Sequence, residues 1–149
     1  LYVGKIVNAG DGQNGGIVKN SLRVLHAEDS DDCAVLVRRA LKMAGFSRAP
    51  VRFSDGEGAI QYLAKVGVEE RPDVILLDVN MPLKNGFDVL DWIRQNPDYR
   101  TVPVVMLTSS QEIEDVRRAE TLGATKFLQK EGTYRKVVET LEDLIAKRS

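Results

Sequence analysis

The stretch "RPDVILLDVNMPLKNG", residues 71–86, drives a run of apolar side chains straight into a carboxylate, Asp78, and then into a Met-Pro-x-x-Asn-Gly turn. A strand that is apolar in succession, rather than at alternate positions, has both faces covered. The same signature recurs at residues 22–27, 51–53, 104–107 and 126–128, between segments with apolar residues at helical spacing. The last segment is the clearest, with Tyr134, Val137, Val138, Leu141, Leu144 and Ile145 on one face and Thr133 placed as N-cap. The first repeats it with Leu36, Val37, Ala40, Leu41 and Ala44, ending at Gly45, and Ser54-x-x-Glu57 reads as a capping box opening the second. Pro97 and Pro103 bracket the connection from the third helix to the fourth strand. Five βα units follow, so the expected fold is α/β, a parallel sheet between helical layers.

Composition fits one such domain. The chain has 149 residues, 43% hydrophobic and 29% charged, with 21 Lys+Arg against 22 Asp+Glu for a net charge of −1. That balance supplies no basic field for nucleic acid or an anionic membrane surface. No apolar run approaches the ~20 residues that span a bilayer, and no secretory signal opens the chain. Cys33 is the one cysteine, which excludes an internal disulfide and suits a reducing compartment, so the expected location is cytoplasmic. Residues 1–20 hold five of the twelve glycines and begin with Leu. They read as a tail (a native extension, a hairpin of "YVGKIV" with "GGIVKN", or an expression remnant) ahead of a domain at 21–149.

In an open parallel sheet, ligands sit beyond the carboxyl ends of the strands. Strand one ends in Glu28-Asp29, strand three in Asp78, strand four in Thr108 and strand five in Lys130. Any one of these is more often a cap or a solvated turn residue; four on one rim is a coincidence that asks for a site. Asp73, roughly 16 Å away at the opposite end of strand three, belongs to the wrong rim and reads as structural. Three converging carboxylates repel unless a cation neutralises them, and oxygen ligands without His or Cys select Mg²⁺. Lys130 and the Thr108 hydroxyl are donors suited to phosphoryl oxygens. Together these form a phosphoryl-transfer set in which Asp78 is the acceptor.

The motifs "LHAEDS", "VILLDVNMPLKNG", "VVMLTSS" and "FLQK", in this order and spacing, resemble the receiver domain of two-component response regulators over residues 22–147. The resemblance implies a doubly wound, CheY-like five-stranded sheet of order 2-1-3-4-5 flanked by five helices. It implies that Glu28 and Asp29 hold Mg²⁺, that Asn80 lends the metal a backbone carbonyl, and that a sensor histidine kinase phosphorylates Asp78. It also implies that Thr108 follows the phosphoryl group and that Phe127 is the switch aromatic. The connection "NPDYRTVPVVMLTSS" is similar to single-domain regulators paired with bacterial phytochrome kinases. Such a unit signals to a downstream protein or a phosphotransfer protein, and it commonly does so through helix four, strand five and helix five, here of mixed charge and suited to a homodimer. One departure stands out: the family's proline after the lysine is replaced by Glu131-Gly132. A trans Lys130-Glu131 bond is therefore expected, which puts the aim of Lys130 in question.

Other classes remain to be weighed. A haloacid-dehalogenase-like phosphatase also uses a strand-end Asp with Mg²⁺ but needs an acid two residues on, where this chain has Asn80. A flavodoxin-like binding module needs a phosphate loop after strand one, where "AEDSDD" presents acids. A degenerate receiver acting as an interaction scaffold shares the fold. Among single residues, Phe127 reads equally as core, His26 as a satisfied buried imidazole, and Trp92, with Leu90 and Ile93, as cover for the sheet. Cys33 reads as inert packing or partial exposure in the first turn of helix one, and Arg117 to Glu120 as a solvated face.

Overall fold

The computed structural model describes Lys19 and residues 21–109, 112–130 and 134–148. Five strands, β1 Val24–Ala27, β2 Val51–Phe53, β3 Val74–Asp78, β4 Val104–Thr108 and β5 Lys126–Gln129, form one sheet. Its order is β2-β1-β3-β4-β5, and every neighbouring pair is parallel. The helices are α1 Asp31–Met43, α2 Gly56–Lys65, α3 Gly86–Gln95, α4 Ile113–Leu122 and α5 Arg135–Arg148, with a single 3₁₀ turn at Val68–Glu70. The doubly wound order and the five helices expected from the sequence are both present.

Strand alternation sorts the core into two layers. Leu25, Ala27, Ile75, Leu77, Val104 and Met106 pack with Ala59 and Leu63 of α2, Phe87, Leu90 and Ile93 of α3, and Ala119 of α4. Their neighbours Val24, Val74, Leu76, Val105 and Leu107 pack with Val37 and Leu41 of α1 and Val137 and Leu141 of α5. Because side chains alternate with period two, β1, β3 and β4 are buried at every residue, whereas the edge strands β2 and β5 are not. Trp92 is partly buried against the first layer, as expected.

The helix ends correct one expectation. Ser54 is not the cap of α2; Asp55 is, its side chain accepting from Gly58 N at 2.7 Å. The helix begins at Gly56, so the carboxylate of Asp55 stands where the third amide points, and Ser54 is one residue too early. Asn85 and Asp88 form a reciprocal capping box on α3. Ser30 caps α1, and Gly45 follows it at φ 100°. The "NPDYRTVP" connection is held from inside by Arg94, whose guanidinium donates to the carbonyls of Tyr99, Arg100, Val102 and Gly123, while the Tyr99 hydroxyl donates to Leu63 O at 2.6 Å. The Thr133 cap, the Lys130-Glu131 bond and the hairpin reading of the tail lie outside the described residues.

Gly86, like Gly56, approaches another backbone segment too closely for a side chain. A Cβ at Gly86 would collide with the carbonyl of Asp78, because the chain after β3 folds straight back so that Gly86 N can donate to Val79 O at 3.0 Å. Gly86→Ala is expected to lower stability by about 1–3 kcal/mol in urea denaturation, the usual cost of overpacking a rigid backbone contact. An unchanged midpoint would show that the turn relaxes freely.

Candidate functional site

The register of β1 on β3 sets Ala27 opposite Leu77. One step further, Glu28 stands opposite Asp78, and alternation puts both on the layer of α1 and α5. On β5, Leu128 packs in that same layer and Phe127 in the other, so Lys130 returns to the side of the acids. Lys130 N donates to Thr108 O at 2.7 Å, which fixes its backbone at the rim. The outcome is a cluster of three charges: Lys130 Nζ lies 2.9 Å from Glu28 Oε1 and 3.3 Å from Asp78 Oδ1. The departure from the family's proline thus leaves the lysine aimed at the rim.

Glu28 and Asp78 are buried, while Asp29 is exposed at the mouth. One carboxylate oxygen from each of the three lies within 4.8 Å of the others. Glu28 Oε2 accepts from Ser30 N at 3.1 Å, but Oε1 has only the off-axis contact with Lys130 and no aligned hydrogen bond. Asn80 is exposed, and its amide donates to Asp78 Oδ1 at 3.4 Å. Three acids against one ammonium leave two negative charges around a buried oxygen that lacks a partner, and all the donors are oxygens. A hard divalent cation fits this set. Thr108 is fully buried at the end of β4, and Phe127 is half-buried on β5 in the opposite layer from the acids. Asp73 accepts from Arg23 N at 2.8 Å at the other end of β3, a structural contact as expected.

Burial, and after it the Glu28 carboxylate, push Asp78 from 3.8 up to about 7, with Lys130 pulling the other way. Burial also works against the charge of Lys130, yet the close contact with Glu28 and the charges of the Glu28 and Asp78 carboxylates raise it above the ordinary lysine value. His26 corrects its sequence reading: it is buried, but Nε2 has no hydrogen-bond partner and lies 4.0 Å from Glu28 Oε1. Burial, then Lys130 and Arg52, drive it down to about 3, so it stays neutral.

Three participants were not assigned to the site from the sequence. Arg52 on β2 donates to the Glu28 carbonyl through Nε at 3.0 Å and Nη2 at 2.7 Å and pairs with Asp31 at 2.6 Å, bracing the acid pair from behind. Cys33 is half-exposed in the first turn of α1, as expected, but its Sγ lies 4.0 Å from Lys130 Nζ. The buried Tyr134 phenol, in the left-handed region at φ 53°, is pushed up by burial and by its hydrogen bond to Cys33. An arginine in a short edge strand is the only sequence sign any of them gives.

A model of the response regulator receiver domain matches residues 24–142. The chain belongs to the response regulator receiver family. It is 38% identical over 110 residues to the response regulator Rcp1 of Synechocystis, covering 72% of this chain and 75% of that protein. The structure of Rcp1 in its Mn²⁺-bound form superposes with a TM-score of 0.70 at 33% identity, over 83% of this chain and 91% of that one. The phosphorylated cyanobacterial phytochrome response regulator RcpA gives 0.75 at 28% identity, over 86% and 96%. The bacteriophytochrome response regulator RtBRR gives 0.71 at 34%, over 83% and 77%. The receiver is thus a two-component phosphorelay domain similar to regulators of the phytochrome-associated type. No helix among the described residues is long and apolar enough to cross a membrane.

Asp78 and His26 carry a pH signature. With Asp78 raised from 3.8 to about 7, the unfolded chain loses this proton first, so its stabilising contribution is complete below pH 4 and lost as pH rises to 7. His26 runs oppositely: its contribution is present above pH 6.5 and lost as pH falls toward 3. In divalent-free buffer, the stability difference between Asp78→Asn and wild type should be small at pH 4. It should grow in favour of the variant as pH rises through 7. Denaturant titrations across this range check it; a flat difference would show that Asp78 is not strained.

Proposed function

We propose that Asp78 is the phosphoacceptor of a receiver that takes its phosphoryl group from a sensor histidine kinase, in the manner of a phytochrome-associated regulator. The observation that carries this reading is the position of Asp78, buried at the switch point of the sheet with Glu28, Asp29 and Lys130 around it. Glu28, Asp29, Asp78 and the Asn80 carbonyl would hold Mg²⁺, which when bound supplies the positive charge that lets an anionic donor approach three acids. An Asp78 carboxylate oxygen attacks phosphorus as the P–N bond to the kinase imidazole breaks, and the imidazole leaves with its electron pair. Lys130, already shared between Glu28 and Asp78, can follow the new phosphoryl oxygens. Thr108 and Phe127 are the residues assigned to report the change at the α4-β5-α5 face.

The unit is read as a signalling domain rather than a dedicated enzyme, acting in the cytoplasm on a downstream protein or a phosphotransfer partner. The exposed amide side chain of Asn80, where a haloacid-dehalogenase-like phosphatase needs an acid, argues against that alternative. A degenerate scaffold is disfavoured because Glu28, Asp29, Asp78 and Lys130 converge. Residues 21–149 are assigned to the receiver unit, in keeping with the family match over 24–142, and 1–20 to a tail, of which Lys19 is held against the receiver by Glu142 and the Ala44 carbonyl.

Intact-mass analysis after incubation with acetyl phosphate and Mg²⁺ should show one phosphoryl adduct in the wild type and none in Asp78→Asn. In Glu28→Ala/Asp29→Ala the Mg²⁺ dependence should be lost with the ligands. An undiminished adduct in Asp78→Asn, or one located on Ser, Thr or His26, would overturn the assignment.

The α4-β5-α5 face exposes Ile113 at 62% beside Glu114, Arg117, Glu120 and Lys126. Arg118 is taken out of that charge pattern, its guanidinium stacking 4.4 Å from the Phe87 ring centre, and Ala119 is buried, so this stretch is not simply a solvated face. An apolar side chain ringed by both signs of charge suits a symmetric, salt-sensitive homodimer. Light scattering of apo and beryllofluoride-treated protein at two salt concentrations should show activation-dependent dimers that weaken with salt. A monomer under every condition at high concentration would exclude it.

A further inference from the structure

The carboxyl-terminal half of α1 and the turn after it enclose a cavity of about 680 Å³. Val35, Arg38, Arg39 and Lys42 line it from α1, at spacings that keep them on one stripe of the helix. The segment 45–49 closes the other side with Phe46, Ser47 and Arg48. No carboxylate is among the lining residues. Among the described residues, none of the four cations has an ion-pair partner, whereas Lys19, Arg52, Arg71 and Lys130 each face an acid. On a chain of net charge −1, this is a local excess of positive charge gathered around one hollow.

A smaller chamber of about 100 Å³ adjoins it, sharing Val35 and Arg38 and reaching His26, whose buried Nε2 lacks a partner. The inner end is thus lined by the polar side chains of His26, Arg38 and Arg52, which an ordinary packing defect in an apolar core is not. The volume of the outer cavity falls in the roughly 300–1,000 Å³ range of small-ligand sites. Three guanidinium forks and an ammonium match the oxygens of phosphates, and one phosphate cannot engage four cations spread over a helix and a facing turn.

We propose that this cavity binds a multiply charged phosphate chain, a di- or triphosphate, either free or carried by a nucleotide. The site is separate from Asp78, where three acids repel such an anion in the absence of a metal. It is independent of the phosphoacceptor reading.

The test is isothermal titration calorimetry of the full chain in divalent-free buffer with sodium triphosphate, ATP and orthophosphate, at low and moderate salt. One-to-one saturable binding of triphosphate is expected, at least tenfold tighter than orthophosphate and weaker at the higher salt. Tighter binding of ATP would identify the nucleotide as the source; equal or weaker binding of ATP would show that the phosphate chain alone is read. Arg39→Ser/Arg48→Ser should weaken triphosphate binding at least tenfold, while Lys65→Ser/Lys147→Ser, which removes equal charge from exposed positions elsewhere, should leave it unchanged. Thermal melts establish that both variants are folded; should the arginine pair fail to fold, Lys42→Ser is read instead, with an expected loss of at least threefold. Absence of saturable binding, orthophosphate binding as tightly as triphosphate, or equal loss in both double variants would overturn the proposal.

Discussion

Two carboxylates, Glu28 and Asp78, are buried side by side at the carboxyl ends of neighbouring central strands, and one ammonium, Lys130, touches both. Like charges so placed repel, and burial removes the water that would screen them. The surrounding structure is arranged to hold this cost. β3 is apolar on every residue up to Asp78 because both its faces are covered, so the strand cannot slide its charge outward without exposing the core. Arg52 fixes the Glu28 backbone, Ser30 N fixes one Glu28 oxygen, and the Thr108 carbonyl fixes the backbone of Lys130. A single ammonium shared between two acids is also an unfinished neutralisation, and that incompleteness is what leaves room for a divalent cation and then for a phosphoryl group.

The path of the chain beyond β3 serves the same end. Gly86 tucks its backbone against the Asp78 carbonyl, and Gly56 lets α2 begin against the carbonyl of Lys84 in the same loop. With the loop folded back this way, Leu83 is forced to φ 68° with its side chain 80% exposed. A leucine in the left-handed region stores strain, which the capping box at Asn85 and the packing of Phe87 offset by anchoring the start of α3. The acceptor thus sits between a rigid strand and a loop closed by backbone contacts.

Much of this was legible in the sequence because burial writes itself as pattern. The continuous apolar runs at Val74 to Leu77 and Val104 to Leu107 gave the sheet its two covered faces, and the strand ends gave the rim where Glu28, Asp29, Asp78, Thr108 and Lys130 stand. Local chemistry of equal quality was less decisive. Ser54 and Asp55 are both good caps, and only the position of the first helical turn selects Asp55. His26 looked like any core histidine; that its Nε2 lacks a partner depends on what β2 and α1 bring against it. Arg52, Cys33 and Tyr134 come together with the acids through tertiary contacts 24 to 106 residues apart in number, which no local pattern records. The aim of Lys130 was questioned for want of a proline, yet β5 pairing with β4 fixes the lysine backbone before the missing proline is reached.

Net charge was the least informative number, and α1 shows why. Asp31 and Asp32 occupy its first turn and Lys42 its last, with Arg38 and Arg39 between, an order that favours the helix dipole at both ends. The same order divides the molecule's surface. The amino end of α1 extends the acidic rim, whereas its carboxyl half supplies three of the four cations around the flanking cavity. A cation and an anion presented to this chain would therefore be drawn to opposite ends of one helix. A near-zero sum excludes an extended basic field of the kind that holds a nucleic acid, but it places no limit on fields confined to a cavity within about a Debye length, roughly 8–10 Å.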